Sequence, residues 1–319
     1  MIAIDKILCP VDFFPASDAA VSYAAGLASN YDATVHLLHV ITPIPPSVYE
    51  YAIDTTEIMK SMRQSSEEEM NKLAARVRET GTIAEIEIRI GYVYDEIKNA
   101  IEASKPDLLV MGTHGRRGME RWFMGSTTEK LMRHSPVPLL TISGPGEEAA
   151  SPRRFRRILV TTDFSDGTAE ALGYAFSVAQ ENESRIELLH VVDDVAADIS
   201  GKYRDSLING VHAQLDALVP TEAKTWCDVV TRVETGMPYR IILRSLQEEK
   251  IDLLVMNIHG KGMLDRALLG STAERVVRAA MCPVLLIPPM KRKLKRRARP
   301  GGNVNTRIYR LAADRHCSS

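Results

Sequence analysis

The sequence predicts an α/β chain of two tandem, open, five-stranded parallel sheets with helices on both faces of each. Three observations lead there. The chain repeats itself at long spacing, short apolar runs alternate with helical ones inside each repeat, and a connector rich in Gly, Pro and charge separates the repeats. At 319 residues and 45 % hydrophobic content, the chain also exceeds the length that one core usually serves.

The repeat is read directly. Val11-Asp12-Phe13 returns as Thr162-Asp163-Phe164, and Leu37-Leu38-His39-Val40 as Leu188-Leu189-His190-Val191, both 151 residues on. Asp107-Leu108-Leu109-Val110-Met111 returns as Asp252-Leu253-Leu254-Val255-Met256 at an offset of 145, as does the segment around Pro138 at Pro283. The second copy is thus six residues shorter between its second and third strands. Such spacing marks a duplicated domain, since solenoid repeats have periods of about 20–50 residues.

Within the first copy, Lys6–Val11 is a short apolar run, Ser17–Ser29 has helical spacing, and Thr34–Ile41 is a second apolar run. Residues 54–80 form a long charged amphipathic helix, Ile83–Ile90 alternates apolar with polar, and Tyr92–Ala103 is helical. Asp107–Met111 is the fourth strand, Thr127–Arg133 a short helix and Val137–Ile142 the fifth strand. Strands separated by helices require right-handed crossovers, hence a parallel sheet covered on both faces. The connector SGPGEEAASPRR places the boundary, giving domains at 1–143 and 155–289, a linker at 144–154 and a basic tail at 290–319 that is expected to be disordered.

No stretch approaches the roughly 18–20 consecutive apolar residues of a membrane span, and the first residues show no signal-peptide pattern, so a cytoplasmic address is expected. Cys9, Cys227, Cys282 and Cys317 are scattered with no CxxC pair, which argues against a zinc cage or a disulfide framework. The formal charge of −1 hides an asymmetry: residues 291–319 carry ten Lys or Arg and one acid, leaving −10 on the body. Without interleaved aromatics, the tail reads as a solvated segment with at most nonspecific contacts to nucleic acid.

In an open parallel sheet the ligand crevice lies beyond the carboxyl ends of the strands. After the fourth strand the chain runs Gly112-Thr113-His114-Gly115, nine residues, then Gly125-Ser126-Thr127. Glycines let backbone N–H groups close around an anion, and the positive end of the following helix favours phosphate. Arg116, Arg117 and Arg121 lie in the loop between. A bland alternative exists for the serine: Ser126-Thr127-Thr128-Glu129 and Ser271-Thr272-Ala273-Glu274 both match a capping box. Asp12 ends the first strand at the same crevice, either as a ligand contact or as a local cap. The second copy reads Asn257-Ile258-His259-Gly260, then Gly270-Ser271-Thr272. Asn257 either adopts a left-handed backbone or blocks a ligand that needs the missing Cβ. His39 and His190, inside apolar strands, read as core histidines; His114 and His259 are open between turn residues and phosphate or metal contacts.

The G-x2-G-x9-G-S spacing of Gly112, Gly115, Gly125 and Ser126 resembles the nucleotide signature of the ATP-binding branch of the universal stress protein family, and the likeness extends over nearly all of residues 1–289, twice. The resemblance implies an adenine nucleotide alpha hydrolase-like fold with strand order 3-2-1-4-5 and a stress-response regulatory role. It implies ATP (or ADP or AMP, with or without Mg²⁺) held with adenosine on Asp12 and adenine on the main chain of Val40. Ribose and phosphates fall to Gly112–Thr127, including His114, Gly115 and Arg116. Pro10, Val11 and Met111 flank that crevice; Asp163, Val191, Asn257, Gly260, Gly270, Ser271 and Thr272 are the matching positions of the second copy. It further implies pairing through the fifth strands, as an internal pseudo-dimer or a homodimer, with a protein partner left unidentified. A Walker A lysine, kinase HRD and DFG sets and a Ser-Gly-Gly-x-Asp loop are all missing, so enzymatic turnover is expected to be weak at most.

Overall fold

The computed structural model describes residues 2–44, 55–113, 124–143, 154–193, 201–258 and 270–289. The basic tail, the Pro-rich segment after the second strand and the glycine loop residues His114, Gly115, Arg116, His259 and Gly260 lie outside them. The first half runs β1 (Lys6–Val11), α1 (Pro15–Tyr31), β2 (Thr34–Ile41), α2 (Thr55–Glu79), β3 (Ile83–Ile90), α3 (Val93–Ser104), β4 (Leu108–Gly112), α4 (Ser126–His134) and β5 (Leu139–Ile142). The second half repeats the plan with β6 (Arg157–Thr161), α5 (Thr168–Asn182), β7 (Arg185–Val192), α6 (Gly201–Ala217), β8 (Val229–Thr235), α7 (Pro238–Glu248), β9 (Leu253–Asn257), α8 (Ser271–Ala279) and β10 (Val284–Ile287). The first three strands stand at the residues the periodicity predicts; β4 and β5 begin one and two residues later.

Each half has its strands in the order 3-2-1-4-5, parallel throughout. The two five-stranded sheets expected from the sequence are joined through their fifth strands, the internal pseudo-dimer that the resemblance allowed. β5 and β10 pair antiparallel, Leu140 opposite Leu285, and join the halves into one ten-stranded sheet ordered β3-β2-β1-β4-β5-β10-β9-β6-β7-β8. Both strands are short and wholly buried, and an open apolar edge would invite aggregation. The pairing leaves neither with a free edge. Because it is antiparallel, the strands of the halves point in opposite directions and their carboxyl ends lie at opposite ends of the sheet.

Two cores form, one per face, and each spans both halves. Buried residues of α1, α2, α5 and α6 fill one, those of α3, α4, α7 and α8 the other. Across the join, Tyr31 donates to Ser177 Oγ at 3.4 Å and the Ile2 N–H to the same oxygen at 3.2 Å. Burial pushes the Tyr31 phenol up to about 12. On the other face, Arg133 meets Glu129 at 2.8 Å and Glu274 at 3.8 Å, while Arg278 meets Glu274 at 2.7 Å and Glu129 at 3.9 Å. Cys9 and Cys227 are buried free thiols, and burial pushes the half-buried Cys282 up to about 12; Cys317 lies outside the described residues.

The outer strands carry a second charge pattern, and it reverses between the halves. In the first, His36 Nε2 meets Glu87 at 2.9 Å, Arg89 meets Glu87 at 2.7 Å, and Arg89 reaches Glu96 at 3.5 Å. At the matching positions of the second half, Glu187 replaces His36, Arg232 replaces Glu87 and Glu234 replaces Arg89. Arg232 meets Glu187 at 2.7 Å and Glu234 at 3.4 Å, and Arg244 also binds Glu234. His36 Nδ1 is buried with no hydrogen-bond partner. Burial lowers the imidazole pKa and Lys6 adds to this, against Glu87 and Glu85, which raise it.

A base with a depressed folded pKa stabilises the fold fully above its unfolded value of about 6.5, and that stability is lost as pH falls below it toward the folded value. The wild-type chain is therefore expected to lose thermal stability between about pH 7 and pH 5 more steeply than His36→Gln, whose amide does not titrate. Parallel melting curves for the two proteins would show that another group is responsible.

Candidate functional site

The first crevice is built where β1 and β4 end and α1 and α4 begin. After β1 the chain turns sharply: Asp12 Oδ1 accepts the Phe14 N–H at 3.1 Å, and the Asp12 N–H donates to Ser17 Oγ at 3.3 Å. This is the local pairing weighed for Asp12, and it fixes one carboxylate oxygen. Asp163 repeats it, accepting the Ser165 N–H at 3.1 Å.

Between the two aspartates and their helices stand residues that sequence reasoning passed over. Phe13 and Phe164 have φ of +64° and +59°. A bulky side chain in the left-handed region costs about 1–3 kcal/mol and persists only where its surroundings hold it. Each ring packs on the histidine of the neighbouring strand, Phe13 on His39 at 4.4 Å between centroids and Phe164 on His190 at 4.6 Å. Those histidines are fixed in turn: Nδ1–H donates to the carbonyl of Val11 in one half and of Thr162 in the other, both at 2.8 Å. The repeated Asp-Phe was the available signal. Under Val11 and Phe13 a cavity of about 310 Å³ opens toward α2, bordered by the Asp18–Arg76 ion pair at 2.7 Å.

At the other wall, Met111 is buried, and Pro10, Val40 and Gly112 are half-buried. Gly112 does not have positive φ. What it lacks room for is a side chain: a Cβ there would lie 2.7 Å from the carbonyl carbon of Ala16 and 2.8 Å from its oxygen. The start of α1 rests directly on the end of β4, and the Thr128 hydroxyl ties the Gly112 carbonyl to α4 at 3.2 Å.

The left-handed reading of Asn257 is corrected, and its side chain has a structural role. Its backbone is not left-handed. Its side chain lies against Gly167, which takes the place of Ala16, so that a Cβ at Gly167 would sit 3.0 Å from Asn257 Oδ1. Oriented to satisfy both groups, the amide donates to the Gly167 carbonyl at 3.0 Å and accepts the Thr168 N–H at 3.3 Å, closing the start of α5. Asn257 with Gly167 stands where the first half has Gly112 with Ala16. The gap between strand end and helix start is filled in both halves.

The glycine loops close alike. The Gly125 N–H donates to the Thr113 carbonyl at 2.9 Å, and the Gly270 N–H to the Ile258 carbonyl at 3.2 Å. These bonds pinch the feet of each loop and deliver the chain to α4 and α8. The capping boxes are not formed. Gly125 and Gly270 are the N-caps, extended and without side-chain capping, and Ser126 and Ser271 are already the first helical residues. Glu129 and Glu274 go instead to Arg133 and Arg278. Ser126 and Ser271 are exposed, Thr127 and Thr272 half-buried. Each half thus presents an uncapped helix start beside an Asp-anchored turn, the arrangement that accepts an anion. Asp163 and Val191 hold matching places in the second half, both half-buried. Among the described residues, no group of three or more His, Cys, Asp or Glu is set to hold a metal.

Comparison with known proteins agrees with this architecture. The sequence profile described as the universal stress protein family matches residues 3–143 and again 154–288. A universal stress protein of Mycolicibacterium smegmatis is 29 % identical over 296 residues, covering 89 % of this chain and 97 % of that one. The shorter Universal stress protein MJ0531 of Methanocaldococcus jannaschii is 32 % identical over 145 residues, 44 % of this chain and 85 % of its own. The crystal structure of a universal stress protein from Archaeoglobus fulgidus superposes with a TM-score of 0.68 over 89 % of this chain and 98 % of that one, at 24 % identity, which speaks to the fold. The chain belongs to the universal stress protein family and carries its domain twice.

The exchange between the halves has a measurable consequence. Gly112→Asn alone is expected to cost about 1–3 kcal/mol, because its Cβ meets the Ala16 backbone and, at 2.9 Å, the Ala16 methyl. Adding Ala16→Gly removes the methyl and lets the backbone beside it shift, so it should recover part of that loss in urea denaturation, with a coupling above about 0.5 kcal/mol. Purely additive effects would mean that the two positions do not share the gap.

Proposed function

We propose that this chain is a stress-response regulator that binds an adenine nucleotide such as ATP in its first crevice. The observation that carries the reading is the uncapped start of α4, delivered by the pinched loop between Thr113 and Gly125 to a point beside the Asp12 turn. On this reading phosphate oxygens meet the first-turn N–H groups and the Ser126 and Thr127 hydroxyls, where the helix dipole contributes up to about 2 kcal/mol. Gly115 and Arg116 complete the cradle. Asp12 takes a ribose hydroxyl, Val40 offers its main chain to the adenine edge, and Pro10, Val11 and Met111 flank the base. Any Mg²⁺ would be carried in on the phosphates.

The second crevice takes the same class of ligand in this proposal, through Asp163, Val191, Gly260, Gly270, Ser271 and Thr272. Asn257 does not argue against it, since its amide is spent on Gly167 and Thr168. A cytoplasmic address and an as yet unidentified protein partner belong to the same proposal. Among the described residues, no helix is long and apolar enough to cross a membrane.

Protein purified without added ligand should release adenine nucleotide on denaturation, identified by mass spectrometry, with the molar ratio counting the occupied sites. Gly115→Val together with Gly125→Val should reduce retention at the first site at least tenfold while leaving the circular dichroism unchanged. Nucleotide-free protein that also fails to bind added ATP would leave a scaffold with no nucleotide role.

A further inference from the structure

Because β5 and β10 consume each other inside the chain, the edges that remain for pairing among the described strands are β3 and β8. β3 is eight residues long, and among the described residues nothing pairs with its outer side. Apolar side chains stand open at both its ends: Ile83 is 67 % exposed, Ile90 51 %, and Tyr92 just beyond is 71 % exposed. A long strand with open backbone groups and exposed isoleucines is a template for pairing.

We propose that β3 is a contact surface for a second copy of this chain, the two strands pairing antiparallel about a twofold axis at Ile88. Side chains directly opposite in an antiparallel pair share a face of the sheet. With the axis at Ile88, Glu87 lies opposite the partner's Arg89 and Arg89 opposite the partner's Glu87. On the other face Ile86 meets the partner's Ile90, and Ile88 meets its own copy. Neighbouring registers are worse. An axis at Glu87 sets glutamate on glutamate, one at Arg89 sets arginine on arginine, and one at Ile86 opposes Glu85 to the partner's Glu87. Like charges directly opposite one another are destabilising.

The reversed charges of the second half decide which edge meets which. Arg232 stands where the first half has Glu87, and Glu234 where it has Arg89. Laying β3 on the partner's β8 in the matching register would oppose Glu87 to a glutamate and Arg89 to an arginine. That contact is heterologous, and repeated it would build an open chain of molecules. Charge therefore favours like edges and penalises the contact that propagates. Where β3 has Ile86, Ile88 and Ile90, β8 has Thr231, Val233 and Thr235, so β3 offers more apolar surface to bury. The assembly that follows is a closed dimer through β3.

Sedimentation velocity on the full chain, from about 1 μM to about 100 μM, should show a mass rising from 35.4 kDa toward twice that value. Ile90→Lys, at an exposed position that leaves the core intact, should weaken the association at least tenfold. Glu87→Lys and Arg89→Glu should each do the same alone, by opposing like charges. Mixed together these two should recover a heterodimer, since the introduced lysine then faces the introduced glutamate and the unchanged Arg89 faces the unchanged Glu87. Recovery on mixing also shows that neither variant lost association by misfolding. A mass that stays at 35.4 kDa throughout, or a dimer that Ile90→Lys and the charge changes leave at full strength, would overturn the proposal.

Discussion

Everything in this molecule is arranged around one short antiparallel contact, the pairing of Leu139–Thr141 with Val284–Leu286. It adds few backbone bonds, supplemented by the Thr141 hydroxyl on the Val284 carbonyl at 3.2 Å. Yet it converts two marginal sheets, each with an apolar edge, into one sheet whose middle is fully covered. Both cores run across it, so α1 packs with α5 and α4 with α8 as though the halves were a single domain. Removing surface from water on both sides of the join at once offsets the ordering of two separate units.

The local plan of the fold was legible in the residues, and the tertiary exchanges were not. Strands such as Thr34–Ile41 and helices such as Thr55–Glu79 announce themselves by period, and the repetition of each signal 145 or 151 residues later removes most ambiguity. The joining at the fifth strands is anticipated from their place in the family order; that the partner is the other half of the same chain is not, because contacts between residues some 145 positions apart leave no periodicity. Ser126 looked like a cap because its neighbours fit the capping box, but the extended conformation falls on Gly125, one residue earlier. The asparagine at 257 was readable as a departure and not as a compensation, because its explanation lies in the glycine at 167. Of the candidate site, the sequence located the loop feet and Asp12 and passed over Phe13, whose strain only a backbone can show.

The two helix starts that frame the candidate sites are electrically linked. Glu129 and Glu274 lie in the first turns of α4 and α8, and each divides its oxygens between an arginine of its own half and one of the other. The four groups are neutral as a set. The acids, which on the sequence pattern would fold back on the helix starts, are drawn instead toward the centre of the molecule. Among the described residues this leaves the first-turn N–H groups without side-chain caps, and it does so symmetrically although the crevices face opposite ways.

The substitution pair at the strand ends also constrains the route by which the two halves diverged. From Gly112 with Ala16 toward Asn257 with Gly167, placing asparagine first would drive a side chain into the opposing backbone. Removing the methyl first leaves only a small void. In the other direction, a methyl added while asparagine is still present meets the amide itself, at 3.0–3.2 Å. Whichever pair stands in a given half, glycine at both positions is the least obstructed single-step intermediate between them, and also the least packed form of either helix start.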